Sequence, residues 1–169
     1  MNIFNFDKWN DLNEERITPI GIEKFNELLI KYAHSNQNAF LYKKIINPKT
    51  KVGIFFKTTK QFENHVNELK TGEKQEWNGF PLRDMSLVCY NYIEKEEGET
   101  FMVFPFKSSL FTISSKKEWD TDVNSENCNK GYWTDKIKWL ENLDQRELWT
   151  ESPCLIISKK MWDSLNKKS

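Results

Sequence analysis

Aromatic side chains decide how this chain can build a core. Only 38% of its 169 residues are hydrophobic, but 12 Phe, 7 Trp and 5 Tyr are among them, and each removes a large apolar area from water at once. Many of these residues fall in short β-rich runs: Ala39 to Ile46, Val52 to Lys57, Met85 to Ile93, Thr100 to Phe106, Leu110 to Ile113 and Cys154 to Ile157. Runs of this length between polar turns are the pattern of strands. The first two, on either side of Asn47-Pro48-Lys49-Thr50-Lys51, read as a hairpin. The third and fourth flank Glu94-Lys95-Glu96-Glu97-Gly98-Glu99, which reads as a charged hairpin tip.

Helical signals lie between these runs. Thr18-Pro19 is a capping residue followed by a first-turn proline, and Phe25, Leu28, Leu29 and Tyr32 then recur at i, i+3, i+4 and i+7, predicting a helix over 19–34. Thr58-Thr59-Lys60-Gln61 is a capping box for a second helix carrying Phe62, Val66 and Leu69 and ending near Gly72. Thr134 would cap a third, with Ile137, Leu140 and Leu143, and 159–167 would form a closing one. Residues 4–16 form an irregular or briefly helical lead-in with Phe4, Phe6, Trp9 and Leu12. Ser115-Lys116-Lys117-Glu118-Trp119-Asp120-Thr121 matches Ser158-Lys159-Lys160-Met161-Trp162-Asp163-Ser164, with a looser copy at Thr58. A capping hydroxyl followed by an aromatic that packs on the residue before the cap, as Trp162 on Ile157, explains the match without a duplicated site. The expected fold is one α+β domain over 1–169, with a mainly antiparallel sheet of about five or six strands and three or four helices packed mostly on one face.

Charge and cysteine usage narrow the function classes. Lys+Arg and Asp+Glu are equal at 25 each, so no net field draws the chain to nucleic acid or to an anionic membrane surface. The basic residues are 22 Lys and 3 Arg (Arg16, Arg83 and Arg146), which leaves few planar forks for bidentate recognition. Lys and Asn in excess over Arg fit an AT-rich bacterial or phage genome. Cys89, Cys128 and Cys154 are odd in number and never in a C-x-x-C pair, so neither a disulfide framework nor a zinc knuckle is expected. With no signal-peptide pattern and no long apolar run, the expected location is the cytoplasm, away from membranes.

Catalytic sets are missing their starting residues. His34 and His65 belong to no H-E-x-x-H or H-x-E pair, and glycine, at 6 residues, forms no G-x-x-x-x-G-K-[ST] or G-x-G-x-x-G loop. No cofactor, metal site or catalytic residue is expected on these grounds. A metal-dependent nuclease needs paired acids and a lysine at one phosphate. Its E-x-K triplet occurs only as Glu68-Leu69-Lys70 on a predicted helix, leaving a loose cluster of Asp84, Glu94 and Glu96. That cluster defines the alternative function, an enzyme on nucleic acid or a nucleotide.

Recognition is the better fit. Trp77-Asn78-Gly79-Phe80-Pro81 places two large aromatics around a turn in a polar loop with Arg83 close behind, and Tyr132-Trp133 follows a second polar loop. Such residues are frequent interface anchors because they bury much area for few rotors, although a loop tryptophan can also fold back as a lid on the core. The sequence therefore predicts a small protein-binding inhibitor or immunity-type protein of phage or bacterial defence. Trp77, Phe80, Arg83, Tyr132 and Trp133 would contact another protein, either a toxin or a host enzyme.

Overall fold

The computed structural model describes residues 16–33, 40–57, 79–114, 128–133 and 144–167, the side chains of Asp84 and Cys128 excepted. In chain order the elements are β1 (Ile17–Pro19), α1 (Ile22–Lys31), β2 (Leu41–Ile45), β3 (Val52–Phe55), a 3-10 turn (Arg83–Met85), β4 (Leu87–Tyr90), β5 (Glu99–Pro105), β6 (Leu110–Ser114), β7 (Cys128–Tyr132), β8 (Glu147–Thr150), β9 (Cys154–Ser158) and α2 (Lys159–Leu165). All the strands join one sheet in the order β1-β3-β9-β5-β2-β4-β8-β6-β7, and every pairing is antiparallel.

Alternation along the strands sorts the core into two layers. One face carries Leu41 and Ile45 of β2, Phe55, Leu87, Cys89, Phe101, Val103, Phe111, Ile113, Leu148, Cys154 and Ile156, with Trp133 joining them. The other face carries Val52, Ile54, Met102, Phe104, Leu155 and Ile157, and both helices pack there. Helix α1 supplies Phe25, whose ring meets Phe104 edge-on at 6.1 Å. Helix α2 supplies Trp162, 4.8 Å from the Phe104 ring and 6.5 Å from that of Phe25. One aromatic on each element thus welds both helices to β5.

Several expectations are corrected. The chain is dominated by a single sheet of 9 strands, with two α-helices among the described residues, rather than a smaller sheet with three or four helices. The added strands are short and polar: β1, β7 (Cys-Asn-Lys-Gly-Tyr) and β8 (Glu-Leu-Trp-Thr) carry too little alternation to announce themselves. Neither hairpin forms. Strands β2 and β3 are separated by β9 and β5, and β4 is separated from β5 by β2, because β9 pairs with both β3 and β5 and β2 pairs with both β4 and β5. Thr18 and Pro19 belong to β1, and α1 begins after Gly21. At α2, Ser158 occupies the cap position but makes no side-chain capping bond, while Ile157 and Trp162 do share the helix-side cluster. The helices expected near Thr58 and Thr134, the Ser115 copy, His34 and His65 lie outside the described residues.

Candidate functional site

The segment from Gly79 to Ser86 crosses the face of β8 and β6. Its anchor is the Pro81 carbonyl, which accepts from Trp149 Nε1 at 2.6 Å and from Thr112 Oγ1 at 3.0 Å. Ser86 Oγ donates to the Leu82 carbonyl at 2.6 Å, closing the turn on itself, and the Leu82 N–H donates to Glu151 Oε2 at 2.9 Å, tying the turn to the residue after β8. Thr112 pairs with Lys130 of β7 and Leu110 with Tyr132. Two residues apart on a strand, Lys130 and Tyr132 point to the same face as Thr112, the face that the segment covers. The Lys130 ammonium sits 5.3 Å from the centre of the Phe80 ring, a favourable placement of a cation over the negative face of an aromatic. Gly79, at φ +85°, lies so close that an added Cβ would meet Lys130 Nζ at 3.4 Å. Tyr132 is 55% exposed.

Behind this surface lies a buried polar cluster. Arg83 donates from Nε and Nη2 to Glu147 Oε1 at 2.9 and 2.8 Å, and both side chains are buried. Lys43, 4% exposed, donates to the Val88 carbonyl at 3.0 Å, where β2 and β4 share only the Tyr42–Tyr90 pair. The lysine thus caps a carbonyl at a place where the ladder between the two strands is thin. Burial pulls its amine down to about 8, against the attraction of Glu94, Cys89 and Glu147, while Arg83 adds to the drop. Burial pushes the Cys89 thiol up to about 12 and raises Tyr90 well above its ordinary value, with Glu147 and Glu94 adding to the effect. At neutral pH the cluster is therefore protonated Lys43, neutral Cys89 and Tyr90, and the Arg83–Glu147 pair. Its cation is hydrogen-bonded and enclosed, an arrangement that holds strands together and leaves no open lone pair for attack.

Of the five predicted contact residues, Phe80 lies against Lys130 of β7, two residues from Tyr132 on the same face of that strand. Arg83 is drawn inward to Glu147. Trp133, 3% exposed with its ring 5.8 Å from Phe111, takes the place of a lid on the core. Its backbone N–H donates to the Ser109 carbonyl at 2.7 Å, and its backbone carbonyl accepts from the Ser108 N–H at 2.8 Å. Trp77 lies outside the described residues. Among the proposed acids, Glu94 acts on Lys43, Glu96 is exposed on the turn before β5, and the Asp84 side chain is not described. No group of three His, Cys, Asp or Glu able to hold a metal ion occurs among the described residues.

Sequence reasoning passed over Lys43 and Lys130. For Lys43 the signal was present, since Leu41, Lys43 and Ile45 alternate and place the lysine on the buried face. For Lys130 there was none, because β7 itself is not legible. Helices long and apolar enough to cross a membrane are absent from the described residues. Compared with family models, curated proteins and solved structures, the chain matches none of them.

Proposed function

We propose that this protein acts by binding another protein, as an inhibitor or immunity-type protein working in the cytoplasm, and that the contact surface is built on Phe80, Lys130 and Tyr132. The observation that carries this reading is the meeting of two aromatic segments, far apart in sequence, on one face of β7. Phe80 is held against Lys130 there, and Tyr132, two residues along the same face of the strand, is 55% exposed. A half-exposed tyrosine next to a cation and a fixed aromatic ring is the composition of an interface centre, combining large area with few rotors and a polar handle. Trp77, three residues before Phe80 in the sequence, extends the same aromatic segment. The balanced charge of the chain fits a protein partner better than a phosphate backbone.

The test is affinity capture from the source cells with the parent protein, Tyr132→Ala and Lys130→Glu as parallel baits. The proposal expects one stoichiometric protein that the parent retains and both variants lose, while all three baits unfold at the same temperature. Retention of the same protein by all three, or of none by the parent, would count against this surface.

A further inference from the structure

At the far side of the sheet from β7, helix α2 leaves part of the sheet uncovered. Trp162 seats the helix on Phe104, toward the carboxyl end of β5. At the other end of β5 the face carries Thr100, paired with Lys44 of β2. Between this end and the helix lies a cavity of about 480 Å³, walled by Lys44, Gly98, Glu99 and Thr100 on the sheet and by Lys159, Lys160 and Asp163 on the helix. A second cavity of about 370 Å³ shares Glu99 and Lys160 with it and adds Lys51, Ser158 and Ser164. Together they form a groove with volumes in the range of small-molecule sites.

Its charge is unbalanced in one direction. Four lysines (Lys44, Lys51, Lys159 and Lys160) line the groove with two carboxylates, and each carboxylate already has a lysine. Lys51 pairs with Glu99 and Lys159 pairs with Asp163 at 2.6 Å. Despite the opposing effect of partial burial, Lys51 and Ser158 hold the Glu99 carboxyl below its usual range, with Lys160 adding a weaker pull. Lys160 therefore shares an acid that Lys51 already occupies, and Lys44 makes no ion pair among the described residues. Two positive charges remain over a concave floor whose other polar groups include the Thr100, Ser158 and Ser164 hydroxyls and two carboxylates.

We infer that this groove binds a phosphorylated sugar, as a sugar phosphate or as the sugar phosphate of a nucleotide. A phosphomonoester dianion matches the two surplus ammonium groups, which act on phosphate as point charges. Glu99 and Asp163 would accept hydrogen bonds from sugar hydroxyls, and Thr100 supplies a further hydroxyl. A bare anion uses only half of these groups. A nucleic-acid strand would need a basic track longer than this one short groove.

The experiment is calorimetric titration of the full chain with ribose 5-phosphate, adenosine 5′-monophosphate, inorganic phosphate, ribose and a single-stranded oligonucleotide. Saturable binding of one or both phosphomonoesters, weaker binding of phosphate and none of ribose are expected. A preference between the two monoesters identifies sugar phosphate or nucleotide as the source. Lys44→Ala/Lys160→Ala should weaken binding by about tenfold or more, while Lys95→Ala on the exposed turn should not change it. Should the double variant fail to fold, the exposed Lys160→Gln carries the same comparison. The inference is overturned if no phosphomonoester binds at millimolar concentration, if the lysine variants bind as tightly as the parent, or if the oligonucleotide alone binds.

Discussion

Arg83 grips Glu147 through a single oxygen: Nε lies 2.9 Å and Nη2 2.8 Å from Oε1. The pair ties the 3-10 turn to β8, and with both side chains buried, water cannot replace either partner. Removing one charge therefore strands the other. Arg83→Met should cost about 3–5 kcal/mol, as should Glu147→Leu, whereas the double variant should be far less destabilised than the two costs combined. Urea unfolding of all four proteins completes the cycle. A double variant as unstable as the sum of the singles would show that the two side chains act independently.

Lys43 links stability to alkaline pH. Its amine falls from 10.5 to about 8 in the fold, so between those values the unfolded chain binds more protons and stability rises with pH. The cost of burying the ammonium is fully present below pH 8 and is relieved as the group loses its proton. Cys89 acts in the opposite direction. With its thiol moved from 9.0 to about 12, the unfolded chain ionises first and stability falls above pH 9. The gain from Lys43 is therefore cleanest between pH 8 and 9, and Glu94, Glu147 and Arg83 are the charges that face it. Parent and Lys43→Met, unfolded by urea at several pH values across that window, should diverge, the parent gaining relative to the variant. Parallel curves would exclude titration of Lys43 there.

Neighbours in sequence, Tyr132 and Trp133 should respond in opposite ways to truncation. Trp133 is buried against Phe111, so Trp133→Ala should cost about 3–5 kcal/mol. Tyr132 is largely solvated, and Tyr132→Ala should change stability by no more than about 0.5 kcal/mol. Thermal unfolding separates them. Similar losses for both would place Tyr132 in the core and remove it from the proposed contact surface.

Gly53 holds β1 against β3. A Cβ there would lie 2.7 Å from Ile17 Cγ2 and 2.9 Å from the Thr18 carbonyl oxygen, and the latter is backbone that cannot swing aside. Gly53→Ala should destabilise the protein by about 1–3 kcal/mol, with hydrogen exchange accelerated first at Ile17 and Phe55, which face each other across that ladder. Unchanged exchange at both positions would show that the strands can separate without loss.

The sequence revealed strands more readily than their neighbours. The runs around Leu41, Val52, Leu87, Phe101, Leu110 and Cys154 are apolar and bounded by turns, and each becomes a strand. Pairing was hidden because adjacency along the chain favours hairpins, whereas the buried faces of β3 and β5 are both completed by β9. Cys89 and Cys154, each set within an apolar run, are fully buried. The aromatics at Phe80 and Tyr132 could be picked out as candidates, but nothing local could reveal that Pro81 accepts from Trp149 and Thr112 and so holds the Phe80 segment against β7 at Lys130. Trp149 lies in a four-residue strand too short to show a period.

The position of β9 also governs how the molecule comes into being. Strands β3 and β5 meet through β9 alone, and β9 follows every other strand in the chain. During synthesis, β1 and β3 on one side and the block from β5 to β7 on the other cannot be joined until Cys154 to Ser158 emerges. Sheet closure is then a late insertion across large sequence separations, the kind of step that makes folding slow. Until it happens, the edges of β3 and β5 stay open to any other extended chain, which makes the waiting state the one most prone to aggregate.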